Sequence, residues 1–375
     1  MLEIRVLFSW RLSLRFSQTM TRRELLAGSA AAAMLRRVEG TNVGPAQNLS
    51  YPLRTFEGNI TPADRFFVRD HFHEPDLSLT SWRLKIEGRV AKPQELTLAD
   101  IIESPTKKVE ALLECAGNAA GGPAASNGEW EGVPLAHVLQ RAGVEANAAF
   151  VMLQGSDAGK LLPSAIAKPY TRLMPISKCQ QAESLLVFKL NDKFLTRKNG
   201  FPVRALFPGW YAMDSVKWLQ RIVVLGPDDP HTEFEESGMT RVYNRVVETP
   251  AGERTTTRLT SILVKSAIAW PENEWKLPAA RHNVYGFAWT GSGLIRRVDI
   301  STDGGRSWMA AKLEGNPQPF RWIRWSYSWL ASPGEHVLMS RATDSNGKTQ
   351  PLESEASRKD GYELNFCAKV RCSVQ

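Results

Sequence analysis

The fold of this 375-residue chain is decided by one stretch, residues 111–122, which is Ala111-Leu112-Leu113-Glu114-Cys115-Ala116-Gly117-Asn118-Ala119-Ala120-Gly121-Gly122. An apolar run that predicts a strand leads into Cys115, and a glycine-rich loop with few large side chains follows it. Such a loop lets a bulky ligand approach the backbone closely. A soft thiolate suits a metal bonded to sulfur. The alternative is that Cys115 is a small buried residue at a strand end, which is common, and this stretch alone leaves both open.

Around this stretch, from about residue 51 to 225, helical and strand patterns alternate irregularly. Residues 82–88 alternate as a strand does, whereas 98–102 and 135–139 predict short helices that each begin at a turn. Irregular interleaving favours an α+β fold over a doubly wound sheet. Neither GxGxxG nor GxxxxGK[ST] occurs, so the usual reason to expect dinucleotide or P-loop binding is missing.

The second half of the chain has an all-β pattern. Residues 226–258, rich in charge, proline and threonine, predict a connector. Beyond it, strands are predicted at 284–289, 298–302 and 336–342, with a hairpin turn at Asp303-Gly304-Gly305. Short strands at this spacing predict an immunoglobulin-like sandwich.

The first 45 residues differ from the rest and predict an export leader. They contain Arg22-Arg23 before a small apolar run, which is typical of the twin-arginine route and therefore of a periplasmic protein. A disordered basic tail is the alternative, and a start at Met20 would give a tidier signal. These residues hold seven Lys/Arg and three Asp/Glu, so the remaining 40 basic and 36 acidic residues leave a charge of only +4. This weak field argues against nucleic acid and suits a small anionic or sulfur-containing substrate.

Four cysteines are too few for a disulfide scaffold. Cys367 and Cys372 could pair in an oxidising compartment, and Cys179 has the setting of a core residue. No Cys-x-x-Cys-His or His-Glu-x-x-His motif occurs, so a haem module and a zinc hydrolase have no support.

The segment Glu114–Asn118 resembles the cysteine motif of the sulfite oxidase family, whose thiolate binds molybdenum. Five further segments resemble that family in the same order along the chain, namely 66–71 (FFVRDH), 130–135 (WEGVPL), 199–204 (NGFPVR), 208–219 (PGW and SVKWL) and 286–305 (GFAW and VDISTDGG). The resemblance extends from about residue 50 to 355. It implies a sulfite-oxidase-type molybdopterin-binding catalytic domain at 50–250 and an immunoglobulin-like dimerisation domain at 256–368, behind the leader at 1–45, in a homodimer.

The same resemblance implies a molybdenum–molybdopterin cofactor with Cys115 as its protein metal ligand. Cofactor-binding roles then fall on Arg204, Ser215 and Lys217 at the terminal phosphate, on His71 near the pterin, and on Asn118 and Asn199. Arg69 is the candidate that binds an oxyanion of the substrate through two parallel hydrogen bonds. Two alternatives stay open: a salt bridge from Arg69 to Asp64 or Asp70, and ordinary solvated charges at Arg204 and Lys217.

Three departures from the family bear on the substrate. Ala119 and Ala120 stand where sulfite-oxidising members commonly carry basic residues, and Asn199 stands where animal members have histidine. Residues 234–240, where the family's active-site tyrosine falls, contain none, and the sequence leaves open whether Tyr243 replaces it.

The resemblance implies a periplasmic enzyme that oxidises sulfite or a related small sulfur compound and passes electrons to a c-type cytochrome or a membrane redox partner. A neutral pocket at Ala119 and Ala120 keeps a second hypothesis open, a sulfoxide or N-oxide reductase of the same fold. A non-catalytic periplasmic scaffold is the third.

Overall fold

A computed structural model describes residues 45–160, 167–229, 242–248, 254–355 and 360–375. Apart from its last residue, the predicted leader lies outside the described residues, and so does the segment 234–240. Within the described ranges no helix combines the length and the hydropathy needed to cross a bilayer.

The first half of the chain is built mainly from strands. Its strands are β1 Asn48–Leu49, β2 Val68–Arg69, β3 Leu84–Gly88, β4 Gln94–Leu96, β5 Lys107–Glu114, β6 Ala125–Pro134, β7 Phe150–Gly159, β8 Lys168–Pro175, β9 Leu185–Leu190, β10 Lys193–Phe194, β11 Arg204–Leu206 and β12 Leu219–Leu225. Its helices are α1 Leu98–Glu103, α2 Leu135–Ala142 and α3 Ile176–Cys179, with 3₁₀ turns at Leu53–Thr55, Ala63–Arg65, Arg197–Asn199 and Ala212–Asp214.

These strands form two five-stranded sheets. One has the order β10-β9-β6-β5 with β11 also on β9, and the other has the order β4-β3-β12-β7-β8. The main core contains apolar side chains of both sheets together with α1 and α2. Alternation explains β3, because Leu84 and Ile86 are buried while Lys85 between them is exposed. The two predicted helices are confirmed, and Thr97 and Asp100 begin α1 with a reciprocal capping box.

In the second half of the chain, from residue 244 onward, the regular elements of the described residues are all strands, in agreement with the predicted all-β pattern. Its strands are β13 Asn244–Glu248, β14 Arg254–Arg258, β15 Lys265–Trp270, β16 Trp275–Leu277, β17 Arg281–Trp289, β18 Ile295–Ser301, β19 Met309–Ala310, β20 Lys312–Leu313, β21 Ile323–Leu330, β22 Gly334–Asp344 and β23 Val370–Val374. A four-stranded sheet (β15-β17-β21-β20) and a five-stranded sheet (β16-β23-β22-β18-β19) contribute to a common core that contains Val284, Trp325 and Leu338. The predicted hairpin at Asp303 joins β18 to β19.

Two features of the structure correct the reading of the sequence. The segment 226–258, predicted as a connector, contains an antiparallel pair, β13 with β14, in register Asn244↔Arg258; β-branched Val and Thr residues in both segments favour strands. All four cysteines are free thiols, so the disulfide considered between Cys367 and Cys372 is not formed. Cys179 is a buried core residue, as predicted.

An apolar cluster joins the two halves. Phe287, Trp289 and Trp322 of the second half pack in one cluster with Phe56 and Leu112 of the first. Leu112 lies on β5, the strand that leads to Cys115, so the second half of the chain supports that strand from behind.

Candidate functional site

A cavity lies where β2, the loop after β5, β7, β8 and the segment 212–218 meet. Six of the eight residues predicted to form a site line it: Arg69, His71, Cys115, Arg204, Ser215 and Lys217. These residues come from four separate segments of sequence, which the fold brings to one place.

Cys115 follows β5 directly and begins a loop that closes on itself. Its backbone N–H donates to the carbonyl of Ala124 (3.0 Å), and its own carbonyl accepts the N–H of Asn118 (2.9 Å). The side chain is half-buried at the cavity wall. Burial raises the pKa of the Cys115 thiol, and a hydrogen bond from the Gly117 N–H opposes that effect. The loop therefore presents a single sulfur atom to the cavity from a fixed backbone.

Behind Cys115, a buried carboxylate ties the two halves of the chain together. Glu114 accepts hydrogen bonds from Lys265 Nζ (2.6 Å), Asn118 Nδ2 (3.0 Å) and Trp289 Nε1 (2.8 Å). Glu114 and Lys265 are almost fully buried. A buried charge is stable only when it is paired and hydrogen-bonded, and here the cation comes from β15 in the second half.

Arg69 and Tyr243 line the cavity together with Cys115 and are close enough for their charges to interact, and these three residues are called the thiol-side group. Arg69 is exposed, and it forms no ion pair with a carboxylate of the described residues. The salt bridge considered for it is absent because Asp70 is occupied by the Gln47 N–H (3.0 Å) and by Lys217. The guanidinium is therefore available to an anionic ligand.

His71 connects the thiol-side group to the rest of the cavity. Its Nε2 makes a short hydrogen bond with the hydroxyl of Tyr243, and its ring stacks on Tyr170 at 5.4 Å. Burial, followed by the nearby Arg69, Arg172 and Lys217, lowers the pKa of His71 to about 4. The imidazole is therefore neutral near neutral pH and acts as a hydrogen-bonding group.

Arg204, Lys217, Asp70 and Asp157 make up the cation-side group of the cavity. Arg204 is 6% exposed and donates to the backbone carbonyls of Asn199 (3.2 Å) and Ser215 (2.8 Å). Its Nε has no partner among the described residues, and burial lowers the pKa of Arg204 to about 10. A guanidinium buried beside a cavity without a carboxylate of its own favours an anionic ligand.

In the other three members of this group, the charge is offset by an ion pair or can be neutralised by a proton. Lys217 Nζ pairs with Asp70 and also donates to the carbonyl of Lys198 (3.1 Å). Asp157 lies on β7 at the irregularity between Gln154 and Ala158, and burial raises its pKa to about 7. This carboxyl group can therefore be protonated near neutral pH and can donate a hydrogen bond.

Asn118 and Asn199 are the two predicted site residues that do not line the cavity. The amide of Asn118 bonds Glu114 and the N–H of Ala124 (3.0 Å), which shapes the loop. The side chain of Asn199 reaches the carbonyl of Ala63 (3.4 Å), while its own carbonyl accepts from Arg204. Both act on the cavity through the backbone in this structure.

Several cavity residues escaped the sequence reasoning. Asp157 and Tyr170 both line the cavity, and Tyr170 is held by a hydrogen bond to the carbonyl of Met213 (2.8 Å). Asp157 could have been found from the segment Gly155-Ser156-Asp157-Ala158-Gly159, where a charged residue stands among small ones. This segment interrupts the apolar alternation of β7.

Comparison with protein families matches both halves of the chain. Residues 71–233 match the family model of the oxidoreductase molybdopterin binding domain, and residues 257–359 match that of the Mo-co oxidoreductase dimerisation domain.

Individual proteins resemble the chain over most of its length. Sulfite oxidase of Gallus gallus is 31% identical over 317 residues, which cover 78% of this chain and 68% of that protein. Mitochondrial sulfite oxidase of Homo sapiens is 29% identical over 322 residues, which cover 79% of this chain and 58% of that protein. The crystal structure of the sulfane dehydrogenase SoxCD from Paracoccus pantotrophus superposes with a TM-score of 0.75 at 27% identity, covering 88% of this chain and 85% of that one.

Proposed function

The chain belongs to the sulfite oxidase family of molybdenum-cofactor-dependent oxidoreductases, and on that premise we propose that it oxidises sulfite or a closely related small sulfur compound. In the proposed reaction sulfite and water give sulfate, two protons and two electrons. Support comes from the thiol-side group, where the Cys115 sulfur lines the same cavity as the Arg69 guanidinium, which pairs with no carboxylate in the described part of the chain. This is the observation that carries the proposal.

The residues of the cavity fit the family's cofactor. A lone soft thiol stands at one side, which suits molybdenum bound to sulfur. At the other side the buried Nε of Arg204 lacks a partner among the described residues, which suits the terminal phosphate of a molybdopterin. When bound, the cofactor supplies a two-electron centre for oxygen-atom transfer.

We assign the roles of the residues from this arrangement. Cys115 is the metal ligand, and Arg204, Lys217 and the Ser215 hydroxyl bind the phosphate. Asp157, which can be protonated near neutral pH, is suited to hydrogen-bond the polar edge of the pterin.

Arg69, His71 and Tyr243 have proposed roles toward the substrate. Arg69 binds the oxyanion of the substrate through parallel N–H donors. Neutral His71 orients the Tyr243 hydroxyl, and in that position Tyr243 can donate a hydrogen bond to an oxygen atom at the thiol side. In this proposal Tyr243 has the role of the family's active-site tyrosine, which the sequence left open.

The remaining parts of the proposal concern assembly and location. We propose a homodimer through the second domain as an immunoglobulin-like sandwich, export to the periplasm by the twin-arginine route, and a c-type cytochrome or membrane protein as the electron acceptor. The paired arginines at 22–23 and the charge of +4 on the first 45 residues support the export proposal.

The decisive experiment measures molybdenum content per chain and turnover of sulfite with oxidised cytochrome c. The wild type, expressed in a host that makes the cofactor, is expected to contain close to one molybdenum per chain and to reduce the cytochrome when sulfite is added. Wild-type protein free of molybdenum would contradict the assigned cofactor site. Metal-loaded protein without sulfite turnover would contradict the substrate alone.

A second candidate is a reductase that acts on sulfoxide or N-oxide groups. The sequence of the loop after Cys115 favours it, because Ala119 and Ala120 carry no positive charge, although neither residue lines the cavity. Turnover of a sulfoxide with a reduced viologen dye, faster than sulfite oxidation by the same preparation, would establish this alternative.

A further inference from the structure

The segment 360–368 lies beyond the residues that either family model matches, yet it contacts the Cys115 loop directly. The N–H of Glu363 donates to the carbonyl of Ala116 (2.9 Å), so the segment is tied to the residue that follows Cys115. A Cβ placed on Gly117 would lie 3.9 Å from the ring of Tyr362. The loop that carries the thiol and this segment are therefore in contact along several residues.

A second tie fixes the segment against the thiol side. The Glu363 carboxylate pairs with Arg245 of β13 (3.3 Å), and Glu363 is only 8% exposed. Further along, the N–H of Cys367 donates to the carbonyl of Pro351 (2.9 Å). The backbone that follows Tyr362 is thus held at two points, Glu363 and Cys367.

Tyr362 itself is half-buried and faces the thiol-side group. Its ring centroid lies 5.5 Å from that of Tyr243. The pKa of the Tyr362 phenol is raised by burial first and by the Cys115 thiolate second, while Arg69 lowers it. Cys115 and Arg69 are thus both near enough to act on its hydroxyl, which places this phenol next to the proposed ligand-binding end.

We infer that Tyr362 forms the outer wall at the thiol side and limits the size of the substituent on the sulfur atom of the substrate. The inference rests on the proposed function for its substrate class, small sulfur oxyanions. Arg69, Cys115 and Tyr243 line the cavity itself, and the ring of Tyr362 packs on Tyr243 next to that lining. The wall opposes a sulfinate or sulfoxide with a bulky organic group, because the extra group must displace the ring.

The first test uses full-length protein without cofactor and does not depend on turnover. Cys115 is the one cysteine that is not buried, so alkylating reagents report its accessibility. Tyr362→Ala is expected to speed labelling by a bulky maleimide dye by at least about tenfold, which is within the range of steric discrimination by pockets. Labelling by iodoacetamide should change far less.

Four matched variants control this test. Tyr362→Phe keeps the ring and should label as the wild type does, and Tyr362→Trp should slow the bulky reagent. Opposite effects of alanine and tryptophan cannot arise from a general loss of structure. Tyr327→Ala, which removes a half-buried tyrosine of β21, should change neither rate, and Cys115→Ser should abolish the labelling. Equal rates for the bulky dye in wild type and Tyr362→Ala would overturn the inference.

A second test uses the metal-loaded enzyme with sulfite and benzenesulfinate. A sulfinate and water give the sulfonate, two protons and two electrons, so the same acceptor serves both substrates. Tyr362→Ala should raise kcat/KM for benzenesulfinate relative to sulfite by roughly tenfold or more. An unchanged ratio would contradict the role in specificity. If labelling depends on Tyr362 but neither compound is oxidised, the wall is supported and the proposed substrate class fails.

Discussion

The two sides of the cavity balance their charges differently. At the cation side, Arg204 is buried without a carboxylate of its own, whereas Lys217 is paired with Asp70. At the thiol side, Arg69 is exposed, and the buried charge pair, Lys265 with Glu114, stands behind the loop and away from the cavity wall. This difference supports the proposal that the cation side holds an anion permanently and that the thiol side exchanges one with solvent.

The largest expected effect comes from the sulfur atom itself. Cys115→Ser should reduce turnover by more than the roughly 10–100-fold that loss of an outer hydrogen-bonding partner of a metal ligand costs. Metal analysis and steady-state turnover of the same preparations check this. Cys179→Ala, at a cysteine buried in the core, should keep its molybdenum and its specific activity. Full activity in Cys115→Ser would show that turnover does not need the Cys115 thiol.

The next effect concerns the ion pair behind the thiol. Lys265→Met leaves the Glu114 carboxylate buried without a cation and should lower the free energy of unfolding by about 3–5 kcal/mol. The double variant Lys265→Met with Glu114→Gln should recover part of that loss, because it removes the buried charge and leaves one amide oxygen to accept from Asn118 or Trp289. Chemical denaturation of the cofactor-free proteins measures both. A single variant as stable as the wild type would show that the pair does not join the two halves.

On the cation side, removal of the Arg204 charge should not lower the free energy of unfolding. In cofactor-free protein, Arg204→Met should be neutral or stabilising by about 1 kcal/mol, because it removes a buried charge without an ionic partner. The same variant should bind less molybdenum cofactor. Lys217→Met, the matched control, leaves Asp70 unpaired and should lose both stability and cofactor. Thermal unfolding and metal analysis separate these outcomes, and a strongly destabilised Arg204→Met would show that its charge is already balanced.

The smallest effects are two pH dependences of opposite sign. The pKa of His71 is lowered from 6.5 to about 4, so its contribution to stability is present above pH 6.5 and is lost as pH falls toward 4. The pKa of Asp157 is raised from 3.8 to about 7, so its contribution is present below pH 3.8 and is lost as pH rises to 7. In cofactor-free protein the two slopes largely cancel between pH 4 and 6.5.

Single variants should separate the two slopes. His71→Gln should leave a stability that falls as pH rises, and Asp157→Asn should leave one that rises with pH, with an amplitude of about 1–3 kcal/mol in each case. Denaturation at several pH values is the measurement. Identical pH profiles for the two variants would contradict the assigned protonation states.

The sequence predicted the family, the cofactor and six of the residues that line the cavity, because these depend on short motifs. Cys115 and its loop, Arg69 and Lys217 each stand in a motif that is recognisable locally. Local sequence patterns could not show which groups a side chain hydrogen-bonds. Asn118 and Asn199 belong to such motifs but bond the neighbouring chain. Whether the predicted residues act as assigned stays a prediction.

Other contributors were hidden because they depend on contacts between distant segments. Lys265 reaches Glu114 across the two halves, and Tyr362 reaches Gly117 from a segment with no motif of its own. Neither contact has a periodic or compositional signature. The hairpin β13–β14 was missed for a related reason, since charge and proline in 226–258 masked its β-branched residues.

The ties from Lys265 and Glu363 to the Cys115 loop also constrain when the cavity is complete during biosynthesis. Glu363 is synthesised long after Ala116, and at 5–20 residues per second the interval is on the order of ten to fifty seconds. For the first part of that interval the nascent first domain has its thiol loop but lacks both supports, and until Glu363 is made it lacks one. Stable capture of a large cofactor therefore belongs after translation of the second domain, which is the order that transport of an already folded enzyme would require.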